Sequence, residues 1–236
     1  MRGSERTVAI QKVTRGEKMK KIVLSLLFVF VLSTLSFAAP KPWTNEEEKK
    51  ISLFFSNFAE VFLDDFAENE LSDQLMLTFA EEHIYQNRYN KLETVKGEIE
   101  NFKLIPAKMV DEITLKFFGK KIAKHETEAY PHPEAGGEAY VFAHIYGYEY
   151  NEKDDTYTVK GYIIAASSGA DIKDPYGDMS KWKKEDKEDI SCFYCFEGKI
   201  KKSPFDKNRY ILLSYKKHEI TDEENKQFTN ALEGKK

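Results

Sequence analysis

The chain has 236 residues, with 36 Lys and Arg against 40 Asp and Glu and a formal net charge of -4. It is 41% hydrophobic and 14% aromatic, with 12 Gly, 7 Pro and 2 Cys. That is too apolar for a disordered chain, too poor in Gly and Pro for a fibrous one and too poor in Cys for a disulfide scaffold, and it lacks the basic balance of a nucleic-acid binder.

Met19-Lys20-Lys21 is a basic start followed by the uncharged run 22–37 and by Ser36-Phe37-Ala38, with small residues at the -3 and -1 positions of a cleavage site. Residues 19–38 therefore read as a secretory signal peptide cut before Ala39. The run falls short of the roughly 20 apolar residues of a membrane span, so no membrane attachment is expected after cleavage. Residues 1–18 add Arg2, Arg6, Lys12, Arg15 and Lys18 ahead of a signal that is already complete, and read as an extension upstream of a true start at Met19. The rest, 39–236, is expected to be a single secreted domain, periplasmic or extracellular, with 29 basic and 38 acidic residues and a net charge of -9.

Thr44 and Glu47 form a capping box. Apolar residues at Ile51, Phe54, Phe55, Phe58, Val61, Phe62 and Phe66 keep a helical period, which predicts an amphipathic helix with Phe54, Phe58 and Phe62 buried. Ser72 caps a second helix reaching about Arg88, with Leu75, Met76, Phe79, Ala80, His83 and Ile84 inside. Residues 85–103 are polar and irregular, with room for a short turn of helix. Pro106 opens a third helix, which Gly119 closes.

From there the period changes. Residues 140–150 and 156–166 form a hairpin around the turn 151–155, and 167–189 read as a long surface loop. Residues 190–196, 199–202 and 209–215 are strand-like, and 221–232 read as a short helix or frayed tail. Helices first and strands second give an α+β fold: N-terminal helices on a C-terminal antiparallel sheet of about four to five strands, with a cystatin- or NTF2-like arrangement as the analogy.

Three stretches carry a resemblance. They are Ile51-x-x-Phe54-Phe55-Ser56-Asn57-Phe58-x-Glu60, Leu77-x-Phe79-x-x-x-His83-x-Tyr85-x-Asn87, and Val110-Asp111-x-Ile113-x-x-x-Phe117-Phe118-Gly119, supported by the hairpin and by Tyr210-Ile211-Leu212-Leu213-x-Tyr215. On these the chain resembles a family of uncharacterised secreted proteins and lipoproteins of anaerobic bacteria. The resemblance implies a secreted domain and brings no activity or catalytic residue with it. The lipid-anchor Cys of the lipoprotein members is missing at the end of the apolar run.

The chemistry-bearing residues fall into three groups. Cys192 and Cys195 form a C-x-x-C, but in aromatic, strand-like surroundings. In a regular strand they face opposite sides, beyond disulfide reach, so packing thiols are expected, with disulfide, redox or metal use as the alternative. His125, His132 and His144 lie among Glu126, Glu128, Glu134 and Glu138 and could supply a metal site, against the plainer reading of a polar loop broken by Pro131 and Pro133. His83 and Asn87 share one side of the second helix, as a structural hydrogen-bonded pair or as part of a binding cleft. No phosphate loop, nucleophile elbow or dinucleotide fingerprint is present, and no cofactor is expected. The expected function is a non-catalytic module binding an envelope protein, a peptide or a small apolar ligand, with no nucleic-acid partner. The alternatives are a secreted hydrolase with a His/Glu metal site, or an inhibitor or protective partner of another envelope protein.

Overall fold

The first helix begins where its sequence says it must. Thr44 Oγ1 accepts the Glu47 N–H at 3.3 Å, and the Glu47 carboxylate accepts the Thr44 N–H at 2.8 Å, so two otherwise orphaned donors are satisfied reciprocally. The computed structural model describes residues 42–134 and 140–235. The expected extension 1–18, the signal 19–38, the cleavage site before Ala39 and Glu138 lie outside the described residues.

Helix α1 (Asn45–Ala59) buries Ile51, Phe55 and Phe58. It is shorter than its apolar period suggests. Phe62 takes a left-handed φ of 51°, and Leu63 N–H turns back to Phe58 O at 3.0 Å. The chain then runs to Phe66, which bridges Tyr215 in both directions at 2.9 and 3.0 Å. Leu63 and Phe66 still reach the core from a non-helical path, which is why the periodicity outlasts the helix. Phe62 does not: it is 58% exposed, and Phe54 is only half-buried.

Helix α2 (Asp73–Arg88) is capped by Ser72, whose hydroxyl accepts the Leu75 N–H at 3.1 Å. Strands β1 (Glu93–Lys96) and β2 (Asn101–Pro106) follow, then helix α3 (Ala107–Phe118) and strand β3 (Ala129–Pro133). They correct two expectations. Within the stretch 85–103 expected to be irregular, Tyr89–Lys91 form the short helical turn, but 93–96 and 101–106 are strands, and with 129–133, expected as a proline-broken loop, they pair into an antiparallel sheet in the order β1-β2-β3. Pro131 and Pro133 are tolerated because β3 is an edge strand, where a missing N–H can face away from the ladder. Pro106 ends β2 in an extended conformation and precedes the helix. Gly119 closes α3 with φ 68°.

The second sheet is a four-stranded antiparallel meander of β4 (Tyr140–Asn151), β5 (Thr156–Ala166), β6 (Ile190–Lys202) and β7 (Tyr210–Glu219). The fold is therefore α+β, but with two antiparallel sheets, the smaller threaded among the helices.

Each face of the meander carries a core. On one, Val159, Phe196, Ile200 and Leu212 pack with Phe55, Phe58, Phe79 and Phe117. Gly198 has no Cβ to fill the space taken by the Phe55 ring. On the other, Phe142, Tyr162, Ile164 and Cys195 are covered by Met179, Trp182 and Phe228. The segment 167–189, expected as a surface loop, is thus a cover that carries a short helix α4 (Lys184–Glu188), and Trp182 Nε1 donates to Asp174 O at 3.0 Å. Helix α5 (Asp222–Glu233) completes it, with its own capping box between Thr221 and Glu224 and left-handed Gly234 at its end. Among the described residues no helix is long and apolar enough to cross a membrane.

Candidate functional site

A cleft of about 470 Å³ opens between the outer side of α1, the end of α3 and the β6–β7 connection. Its size is in the range of small-molecule sites. Lys50, Leu53, Phe54 and Asn57 reach it from α1, since residues three and four apart share a helix face. Ile51, Phe117 and Tyr210 extend the apolar floor, and Leu53 leaves half its surface open to solvent. Around this floor stand Lys50, Lys116, Lys202 and Arg209, against one carboxylate, Glu47.

That balance is the reverse of the chain's net charge of -4. Burial, then the like charges of Arg209 and Arg88, hold the Lys116 ammonium below its ordinary pKa. Burial lowers Lys202 as well, although Glu47 and Asp155 oppose it. The two ammonium groups lie over aromatic rings, Lys116 at 4.4 Å from Phe117 and Lys202 at 3.8 Å from Tyr210. Arg209 pairs with Asp206 at 3.1 Å. The Glu47 carboxylate is committed to the Thr44 backbone and hydroxyl, which hold its pKa down. Crowded cations over an apolar floor can accept a ligand with an anionic head and an apolar body.

A larger cleft of about 660 Å³ runs between α1, His144 and the 172–186 cover. Its charges are mixed and partly spent on each other, as in the Lys49–Asp174 pair at 2.7 Å.

The sequence-predicted residues lie elsewhere. Asn87 Nδ2 is 3.2 Å from His83 Nδ1 and donates to the His83 carbonyl at 3.1 Å. His83 stacks on Phe79 and meets the edge of Phe117. Burial, then the charges of Lys116 and Arg88, lower its pKa to about 4, so the ring is neutral at pH 7.

The three histidines of the 125–144 segment are engaged separately. His125 contacts Tyr130 OH at 2.8 Å and Asp111 at 3.0 Å, while His132 stacks on Tyr85 and reaches Glu82 at 3.2 Å. His144, in the other sheet, faces the carbonyls of Ile145 and Gly177 at 3.1 and 2.7 Å, and burial lowers its pKa.

Cys192 and Cys195 lie in strand β6, as expected, but the strand is not regular. Ile163 pairs with Tyr194 and Ile164 with Cys192, so Phe193 is an extra, bulged residue. A bulge resets the alternation of faces. Both cysteines consequently point to the same side, into the core beneath α5, rather than to opposite sides. Hydrogen bonding to Cys192, then burial, pushes the Cys195 thiol far up. His218 and Glu224, which no sequence motif marked, approach Cys195 from β7 and α5: one ligand atom from each of the three lies within 4.8 Å of the others. No spacing marks the groove cations either, because residues 50, 116, 202 and 209 come from separate places in the chain.

The scan against family models, the search of curated proteins and the search of solved structures each return no match.

Proposed function

We propose that this protein is a non-catalytic binding module, secreted into the cell envelope or beyond, whose groove between α1, α3 and the β6–β7 connection takes a small apolar ligand with an anionic group. The observation that carries the reading is the concentration of Lys50, Lys116, Lys202 and Arg209 around an apolar floor that offers a single, already committed carboxylate. Two of these cations have depressed pKa values, and a ligand carboxylate would relieve them. A cystatin- or NTF2-like arrangement belongs to the same proposal; its support is the packing of a long helix, α1, against an antiparallel meander.

Calorimetric titration of the protein with a medium-chain fatty carboxylate, and with the uncharged alcohol of equal length, tests this. The carboxylate should bind at least about tenfold tighter, and its advantage should shrink with added salt. Equal affinity for the two, or no binding of the carboxylate, would refute the reading.

A further inference from the structure

The opposite face of the four-stranded sheet holds a cluster that the groove does not use. Cys195 and His218 are Cα partners across β6 and β7. Directly opposed residues present their side chains on the same face. The bulge at Phe193 returns Cys192 to that face, where its thiol donates to the Tyr194 carbonyl at 3.4 Å. Glu224 arrives from the first turn of α5. Its Oε2 is fixed by the Thr221 N–H and hydroxyl at 3.0 and 2.8 Å, while Oε1 sits 2.9 Å from His218 Nε2.

We propose that Cys195, His218 and Glu224 form the core of a binding site for a divalent transition metal of the zinc class, with Cys192, on the same face, as the fourth donor once its thiol leaves the Tyr194 carbonyl. Two sulfurs, an imidazole and a carboxylate are donors that zinc accepts in tetrahedral sites. Bonds of about 2.0–2.3 Å would set the ligand atoms roughly 3.5 Å apart. The ligand atoms of Cys195, His218 and Glu224 already lie within 4.8 Å of one another, so small side-chain rotations reach that spacing, and the His218 side chain, 42% exposed on edge strand β7, has room to turn inward.

The surroundings suit an ion held for structure. Cys195 is fully buried, which removes it as a nucleophile for a substrate, and with Cys192 recruited four protein donors would close the coordination sphere. Tyr146 OH, 3.5 Å from Glu224 Oε1, can orient the carboxylate. Uptake would release the thiol protons and give the two thiolates a cationic partner. It would also tie α5 to the sheet at β6 and β7. None of the groove residues takes part, so the site stands or falls independently of the proposed ligand.

The test is a titration of the reduced full-length chain with Co2+, without oxygen. One equivalent should produce a thiolate-to-cobalt charge-transfer band together with the visible bands of tetrahedral Co2+, and Zn2+ should displace it. His218→Ala, at an exposed edge position that the fold does not require, should weaken binding at least about tenfold, and Glu224→Gln should do the same. Cys195→Ser should remove at least about half of the charge-transfer intensity, since one of two thiolates is lost. No band from the reduced wild-type protein, or undiminished affinity in the His218→Ala variant, would overturn the site. So would a Cys192–Cys195 disulfide that forms in air as fast with equimolar Zn2+ as without it.

Discussion

Ser56 Oγ, on the buried side of α1, accepts the backbone N–H of Ala143 at 2.8 Å. One helical turn earlier, Ser52 Oγ accepts the N–H of Ile145 at 3.2 Å. Strand β4 is at the edge of the meander, and these two donors face away from β5. The i, i+4 spacing of the serines matches the two-residue spacing of the outward N–H groups. A helix thus blunts an edge that would otherwise be free to pair with another chain, and two small polar residues on an apolar helix face acquire a structural reason.

Ser56→Ala leaves the Ala143 N–H buried without its acceptor. We expect a loss of about 1–3 kcal/mol in urea denaturation, with a small offset from the better helix propensity of Ala. An unchanged midpoint would mean that the hydroxyl contributes nothing to holding α1 on β4.

The aromatic stripe of α1 divides in two. Phe58 is fully buried among Phe79, Phe117 and Phe118, whereas Phe62 lies beyond the helix end and is 58% exposed. Phe58→Ala should cost about 3–5 kcal/mol. Phe62→Ala should stay within about 0.5 kcal/mol. Similar losses in both would restore a helix running on through Phe62.

His83 makes stability depend on pH. Its folded pKa of about 4 lies below the ordinary 6.5, so the folded state favours the neutral ring. The unfolded chain takes up the proton first as pH falls, and stability is lost between about 6.5 and 4. Between about pH 7 and 4.5 the loss from this group is on the order of 2 kcal/mol. His83→Gln should flatten that part of the stability curve. A variant with the wild-type slope would place the protonation elsewhere.

What the sequence reveals follows what is local. Capping at Thr44 and Ser72, the stop at Gly119 and the hairpin 140–166 are set by neighbouring residues and are all found. The small sheet is not legible, because β3 is built from Ala129-Tyr130-Pro131-His132-Pro133, and only its edge position makes two prolines admissible. The bulge at Phe193 has no signature either, yet it changes the meaning of Cys192 and Cys195 by bringing them to one face. His218 and Glu224 join them through a strand register and a helix docking that no spacing encodes. The same holds for Lys116 and Lys202, which meet at the groove only because α3 packs beside β7.

The most direct measurement of the proposed binding function is the affinity of the fatty carboxylate and of its alcohol for a Lys116→Gln/Lys202→Gln double variant. Both positions line the groove, and removal of Lys116 should ease its repulsion with Arg209 and Arg88 rather than unfold the domain. The expected result is a carboxylate affinity reduced at least about tenfold, with alcohol binding unchanged, because a charge-assisted contact contributes about 1.5–3 kcal/mol. Undiminished carboxylate affinity in the double variant would contradict a groove that selects its ligand by charge.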